Sequence, residues 1–188
     1  MPSPPPPGFS DLSLAEIARA AAENRLPPVE SWNPAHCGDS EMRIARDGTW
    51  YHQGGPIQRP AMVRLFSTIL RREPDGRFVL VTPVEKLDIA VEDAPFVAVE
   101  LKIDGTGSDG RLAFRLNTDD VVVAGPNHPL RMETHEDGPH PYVQVRKGLD
   151  ALISRALYYE LAQLALDNGS SPPGVWSDGA FFGLEPAA

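Results

Sequence analysis

The sequence predicts an α+β fold of two β/α halves, the second a small antiparallel β-sandwich or barrel closed by a C-terminal helix. Three observations carry this expectation. Residues 42–80 string together a hairpin signal, a glycine turn, an amphipathic helix and a strand that is apolar at both parities. Turn signals then recur at short spacing, at Asp104-Gly105, Asp109-Gly110, Asn117-Thr118, Gly125-Pro126 and Gly138-Pro139, which is the rhythm of a sandwich or barrel. Residues 149–167 read as one long helix closed by Asn168-Gly169, an Asn-Gly stop of the kind that ends helices in the left-handed conformation. The chain accordingly divides into a proline-rich tail (1–9), an N-terminal α+β domain (10–95), a C-terminal β domain (96–169) and an aromatic tail (170–188).

Each element follows from local chemistry. MPSPPPPG at the N-terminus forms only an extended, solvated segment, expected to be disordered. Ser13-Leu14-Ala15-Glu16 is a capping box with Leu12 and Ile17 placed as a staple, and Pro27-Pro28 stops the helix near Arg25. A linker rich in turn residues follows, over 27–40. Asp47-Gly48 is a two-residue hairpin signal. With those two residues alone as the turn, Arg46 faces Thr49, Ile44 faces Tyr51 and Arg43 faces His52. Period two then puts Met42, Ile44 and Tyr51 on a core face and Arg43, Trp50 and His52 together on the other.

Pro60 suits the first turn of a helix. Met62, Leu65, Phe66 and Ile69 give it an apolar stripe widened by Val63 and Leu70, while Arg64, Arg71 and Arg72 stay outside. Glu73-Pro74-Asp75-Gly76 ends that helix in a turn. Residues 78–81 form a strand covered on both faces. Residues 84–103 make two strands with one wet face each, joined at 92–95. Shorter strands follow near 112–116, 121–124, 130–133 and 142–145. The last helix is expected to be the most buried, capping the sheets or sealing a partner subunit. Val175, Trp176, Phe181, Phe182 and Leu184 give the tail enough apolar surface to dock on the body.

Composition excludes several classes. The net charge of −9 and pI near 5.0 argue against a nucleic acid polymer or an anionic membrane surface, both of which need a cationic footprint. Charge is uneven, however: residues 38–78 hold seven arginines against five acids, +2 locally, enough to attract a small anion. The bland alternative is that these arginines decorate a solvated surface. Cys37 is the single cysteine, so neither an intramolecular disulfide nor a cysteine zinc site is available. No apolar run is long enough to span a bilayer, and no secretory signal pattern opens the chain, which makes the cytoplasm the expected location.

Motifs restrict the chemistry further. P-loop, G-x-G-x-x-G, H-E-x-x-H and G-x-S-x-G signatures are lacking, so no cofactor is expected. HPLRMETHEDGPH (residues 128–140) crowds histidines with carboxylates, either as metal ligands or as a hydrophilic hairpin, and its spacing fits no standard zinc motif. Asn117, Asp119 and Asp120 suit either a polar ligand or an ordinary turn.

Several stretches resemble a known family. LPPVESWNP (26–34), DGTWYHQGGPIQRPAMVRLFSTIL (47–70), FVLVTPVEKLDIAVEDAPF (78–96), FRLNTDDVV (114–122), HPL (128–130) and PYVQVRKGLDALISRALYYEL (141–161) are similar to the bacterial domain-of-unknown-function family 1285. The resemblance implies a duplicated α+β architecture whose second half is superficially like a pleckstrin-homology domain. It also implies a nucleotide-like ligand held between the halves and a role in signalling. Under a duplication, Trp50-Tyr51 before the helix from Pro60 parallels 142–146 before the helix from Leu149.

The leading expectation is therefore a sensory or signalling module that binds a small anionic ligand between its halves. Arg43, Arg59 and Arg64 would supply charge, since guanidinium forks suit phosphate. Trp50 would supply a stacking surface beside His52, and Asn117, Tyr142 and Arg146 would contribute from the second half. Two alternatives stand beside it. One is a protein–protein adaptor that homodimerises through the last helix and the aromatic tail; the other is an enzyme with His52 as acid or base.

Overall fold

The computed structural model describes residues 26–185. The proline tail and the helix expected over 13–25 lie outside them. A 3-10 turn at Val29–Ser31 leads into β1 (His36–Ile44), β2 (Trp50–His52), β3 (Gly55–Pro56), α1 (Pro60–Thr68), β4 (Leu70–Arg72), β5 (Phe78–Val81) and β6 (Glu85–Val91). The second half comprises β7 (Phe96–Asp104), β8 (Arg111–Leu116), β9 (Val121–Val123), β10 (Leu130–His135), β11 (Gly138–Arg146), β12 (Leu149–Ile153) and α2 (Arg155–Asn168). A hairpin of β13 (Gly174–Ser177) and β14 (Ala180–Gly183) closes the described chain.

Two six-stranded sheets result, in the orders β3-β2-β1-β6-β5-β4 and β10-β11-β12-β7-β8-β9. These are the same order read in opposite directions. Each is a pair of three-stranded meanders joined along one parallel seam, β1 with β6 and β7 with β12. The second half is thus a mixed sheet rather than an antiparallel one, because the last strand of its second meander returns beside the first strand of its first. The repeat also corrects the expected equivalence: β2 corresponds to β8, and the strand carrying Tyr142, β11, corresponds to β5. The helices do not repeat. α1 fills the connection from β3 to β4, and α2 follows β12.

Three local readings change. The opening hairpin shifts by one residue, pairing Ile44 with Trp50, Arg43 with Tyr51 and Met42 with His52. Its turn contains an extra residue: the Gly48 amide donates to the Ala45 carbonyl, and Gly48 takes φ +87, a type I turn with a glycine bulge. A one-residue slip exchanges the two faces, so Trp50 joins Ile44 in the core, 1 % exposed, and shares no face with Arg43.

The helix from Pro60 stops at Thr68 because Asp75-Gly76 is itself a hairpin turn, with Gly76 at φ +89 and Arg71 paired to Val79. Its core-facing stripe is Val63, Phe66 and Ile69, half-buried against the core, whereas Met62 and Leu65 are exposed. The segment from Leu149 begins as a strand, with Leu149, Ala151 and Ile153 buried in alternation, and turns helical only after Ser154. α2 buries Leu157, Leu161 and Ala165 and leaves Tyr159 and Leu166 exposed, so it is amphipathic rather than engulfed.

The two halves share one hydrophobic core, in which Ile44, Trp50 and Leu80 join Phe96, Phe114 and Leu161. Trp50 stacks on Phe66, ring centroids 6.4 Å apart, which ties β2 to α1. The aromatic tail lies on the body: Val175 is fully buried, and the Ser177 hydroxyl donates to the Ala124 carbonyl at 2.7 Å while accepting from the Leu112 amide at 2.9 Å.

Candidate functional site

Side chains from β11, β12 and the turn between them meet the first half along a seam. Gly148 makes that turn possible, with φ +71 and a position at which any Cβ would press to 3.0 Å of Arg72. On one side of the turn lies a cavity of about 310 Å³, lined mainly by apolar groups including Pro28, Val29, Leu70 and Leu149, with Arg146 and Lys147 at its wall. Glu30 and Lys147 also border a second cavity of about 460 Å³, with Asn33, Arg71 and Arg72. Arg72 and Gly148 in turn border a third, of about 130 Å³, with Asp93, Arg131 and Tyr142. The three recesses adjoin at these shared residues, and together they groove the seam between the halves.

The first-half wall is fixed by Arg71, expected on the surface but 6 % exposed. Its guanidinium donates to the carbonyls of Val29 and Trp32, both at 2.7 Å, and to Glu73 at 2.6 Å. Three acceptors satisfy the fork, so a buried cation is tolerated. Strand pairing of β4 with β5 places Arg71 inward, a placement hidden when the segment is read as helix.

Arg146 is the unusual cation. Its guanidinium donates to the Ser67 carbonyl at the end of α1 and lies 5.5 Å from the Phe96 ring centroid. Among the described residues no carboxylate comes within 4.0 Å of it. Burial pulls its pKa below the ordinary guanidinium value, with the charge of Asp120 pushing back. Arg146 also borders a fourth cavity of about 190 Å³ with His128 and Asp120. A half-buried guanidinium with no carboxylate within 4.0 Å among the described residues is chemically able to pair with an anion entering the groove.

The other expected site residues separate. Arg43 pairs with Glu92 and covers Tyr51 at 4.3 Å, on the outer face of the first sheet. His52 and Arg59 are exposed, away from the groove walls. Arg64 pairs with Asp119 at 3.2 Å. Asn117 is a clasp: its side-chain oxygen accepts from the Val97 amide at 3.0 Å and its nitrogen donates to the Gly48 carbonyl at 3.2 Å, locking the first hairpin onto the second half. Tyr142 and Arg146 do reach the groove. Most arginines of the locally basic stretch 38–78 are paired with acids, among them Arg43, Arg46, Arg64, Arg71 and Arg77.

Asp93, Arg72 and Lys147 are groove residues that motif reasoning passes over. Asp93 sits in the short link between β6 and β7, yet its side chain is only 6 % exposed. The Tyr142 hydroxyl donates to it at 2.7 Å. Burial and this carboxylate push the phenol well above its usual range, so Tyr142 stays protonated. His135 and His140 lie at the same point, whereas His128 contacts the Gln144 carbonyl and borders the fourth cavity. Among the described residues no cluster of three or more metal-binding side chains is arranged to hold a metal ion.

The fold and the groove define a two-half protein of repeated sheet topology with a polar seam at its waist. The comparisons extend this to a family. Family models for the N-terminal and C-terminal domains of a domain of unknown function, DUF1285, match residues 27–94 and 95–184. A DUF1285 family protein from Silicibacter pomeroyi DSS-3 is 48% identical, with a TM-score of 0.77 over 93% of this chain and 95% of its own. Another from Shewanella baltica OS155 is 25% identical, with a TM-score of 0.52 over 65% of this chain and 91% of its own. No curated protein matches. The chain belongs to the DUF1285 family.

Proposed function

We propose that the protein is a ligand-binding module with a sensory or signalling role, taking a small anionic, nucleotide-like molecule in the groove between its halves. The observation that carries this reading is Arg146, a half-buried guanidinium at the wall of the apolar cavity with no carboxylate within 4.0 Å among the described residues and only the more distant charge of Asp120 acting on it. The ligand's body would lie against Val29, Leu70 and Leu149, and its anionic group against Arg146, with Lys147 and Arg72 further along the seam. Because the walls come from both halves, occupancy would bias their relative position, and a signal needs such a coupling. A pleckstrin-homology-like role for the second half belongs to the same proposal, motivated by its sheet followed by a single helix. A second reading, homodimerisation as an adaptor, draws support from Tyr159 and Leu166, 62% and 70% exposed on α2.

Thermal shift against nucleotides, inorganic pyrophosphate and short carboxylates tests the main reading. Saturation at about 100 times Kd stabilises by roughly 2.7 kcal/mol, or about 5–11 °C in Tm for a chain of this size. Arg146→Met should abolish that shift and Arg43→Ala should preserve it. A panel without any shift, or a shift indifferent to Arg146→Met, refutes the site. A concentration-dependent dimer lost on Tyr159→Glu would favour the adaptor.

A further inference from the structure

The β10–β11 hairpin closes over the link between the halves, and two buried polar atoms there face each other without a hydrogen bond: Oδ2 of Asp93 and Nδ1 of His140. They are 4.0 Å apart. On its other ring nitrogen, Nε2, His140 lies 3.0 Å from Oδ1 of Asp137, a carboxylate that can only accept, so the neutral imidazole carries its hydrogen on Nε2. Nδ1 then presents a lone pair to a carboxylate oxygen, two acceptors meeting in a site removed from water. That repulsion accounts for the gap, and a single proton on Nδ1 turns it into a charge-assisted hydrogen bond.

We infer that Asp93 and His140 form a proton-operated clamp, in which one proton taken up at Nδ1 of His140 draws the β10–β11 hairpin onto the link between the halves. The surroundings are built to receive that charge. His135 stacks on His140 with centroids 4.2 Å apart, and its Nε2 lies 3.0 Å from the Tyr142 hydroxyl and 3.4 Å from Glu133. Since Tyr142 donates to Asp93, its oxygen accepts from His135, which places a hydrogen on Nε2 of that ring. Asp137 lies below its ordinary carboxyl range: desolvation raises it, but its own backbone amide and His140 outweigh that. Opposing charges are the Arg46 guanidinium, 3.7 Å from Oδ2 of Asp93, Arg155 at the start of α2, and Arg131 over the Tyr142 ring, the last held by Glu133 and Asp150.

A metal ion fills the gap less well than a proton. The Arg46 guanidinium, itself a cation, already faces the same Asp93 oxygen at 3.7 Å, and among the described residues no cluster of three or more metal-binding side chains is arranged to hold a metal ion. The clamp stands whether or not the groove takes a ligand, although Asp93 and Tyr142 also wall its third recess.

Asp93→Asn is the decisive variant. Its side-chain oxygen still accepts from Tyr142, while its amide supplies Nδ1 of His140 with a permanent hydrogen. Denaturation of both proteins between pH 8.0 and 5.5 should show the wild-type folding constant rising relative to the variant by up to about tenfold per pH unit, the slope of one extra bound proton in the folded state. The gain is present at low pH and lost as pH rises. Nitrogen-15 imidazole spectra of the wild type should show Nδ1 of His140 protonated at pH 5.5. Parallel pH profiles, or an unprotonated Nδ1 at pH 5.5, would overturn the clamp. So would zinc chloride raising the wild-type Tm at pH 8.0 but not that of His140→Phe.

Discussion

Gly48→Ala tests whether the hairpin tip is a structural joint between the halves. Gly48 is buried, with φ +87, and a Cβ there would stand 2.6 Å from Nδ2 of Asn117 and 3.2 Å from Cγ2 of Val97. The left-handed conformation costs a non-glycine residue roughly 1–2 kcal/mol. The Asn117 amide cannot swing aside freely, because it bridges the Val97 amide and the Gly48 carbonyl, and leaving such groups unpaired costs about 1–3 kcal/mol. The total is about 2–5 kcal/mol, or roughly 4–20 °C in Tm for a domain of this size. Gly54→Ala is the internal control, with φ +81 and no atom within 4 Å, so it pays the conformational term alone, about 1–2 kcal/mol. Urea unfolding and thermal melts of the two variants compare them directly. Equal losses would refute the clasp and return Asn117 to the pool of free ligand-binding side chains.

Three further outcomes follow from buried groups. Arg71→Met strands the carbonyls of Val29 and Trp32 beside Glu73, and should lower stability by about 3–5 kcal/mol in urea titration. Faster proteolysis at residues 29–33 should accompany it. Glu73 sits below its ordinary carboxyl range: burial raises it, but the hydrogen bond and charge of Arg71, with Lys86 at 3.5 Å, lower it by more. Its stabilisation is therefore complete above the unfolded value of about 4.3 and is lost as pH falls through the lower folded value; Glu73→Gln should flatten that part of an acid-denaturation curve. Trp50→Ala should cost about 3–5 kcal/mol, and Trp50→Phe markedly less, since phenylalanine keeps a ring against Phe66 and removes an indole N–H that has no acceptor among the described residues.

Regular alternation and explicit turn residues were legible. Strands 78–81 and 84–103, the short strands beyond them and the start of α1 at Pro60 all rest on such signals. What escaped did so for identifiable reasons. The one-residue bulge at Gly48 leaves the Asp-Gly signal intact but exchanges the faces, and that exchange removed Trp50 from the expected site. Asp75-Gly76 carries the same signal as Asp47-Gly48, yet the apolar run before it extended the helix template through β4 and hid Arg71. LDALI satisfies both a helix and a strand template, and only pairing with β7 and β11 decides. β1 is polar over most of its length, and its long parallel partnership with β6 is non-local, so no property of 36–40 by itself reveals a strand. Of the expected site, Arg146 and Tyr142 reach the groove; Asp93 was hidden because a carboxylate in a four-residue link looks solvated until the hairpin closes over it.

The repeated topology also explains why the groove lies where it does. Two sheets of identical order contain two copies of each turn, and the counterpart of the β11–β12 turn is the β5–β6 turn around Thr82 and Val84. That first-half copy points outward, with Val84 75% exposed and no cation. The second-half copy carries Arg146 and Lys147 and is pressed against the end of α1 and the segment held by Arg71. The difference comes from the helices, which occupy non-equivalent connections: α1 is inserted between β3 and β4, where the second half has only residues 124–129. A helix in one copy and not the other leaves one edge of the seam with a wall and the opposite edge without. The asymmetry that gives the molecule its concave side is therefore a property of which connection is longer, not of the sheets themselves.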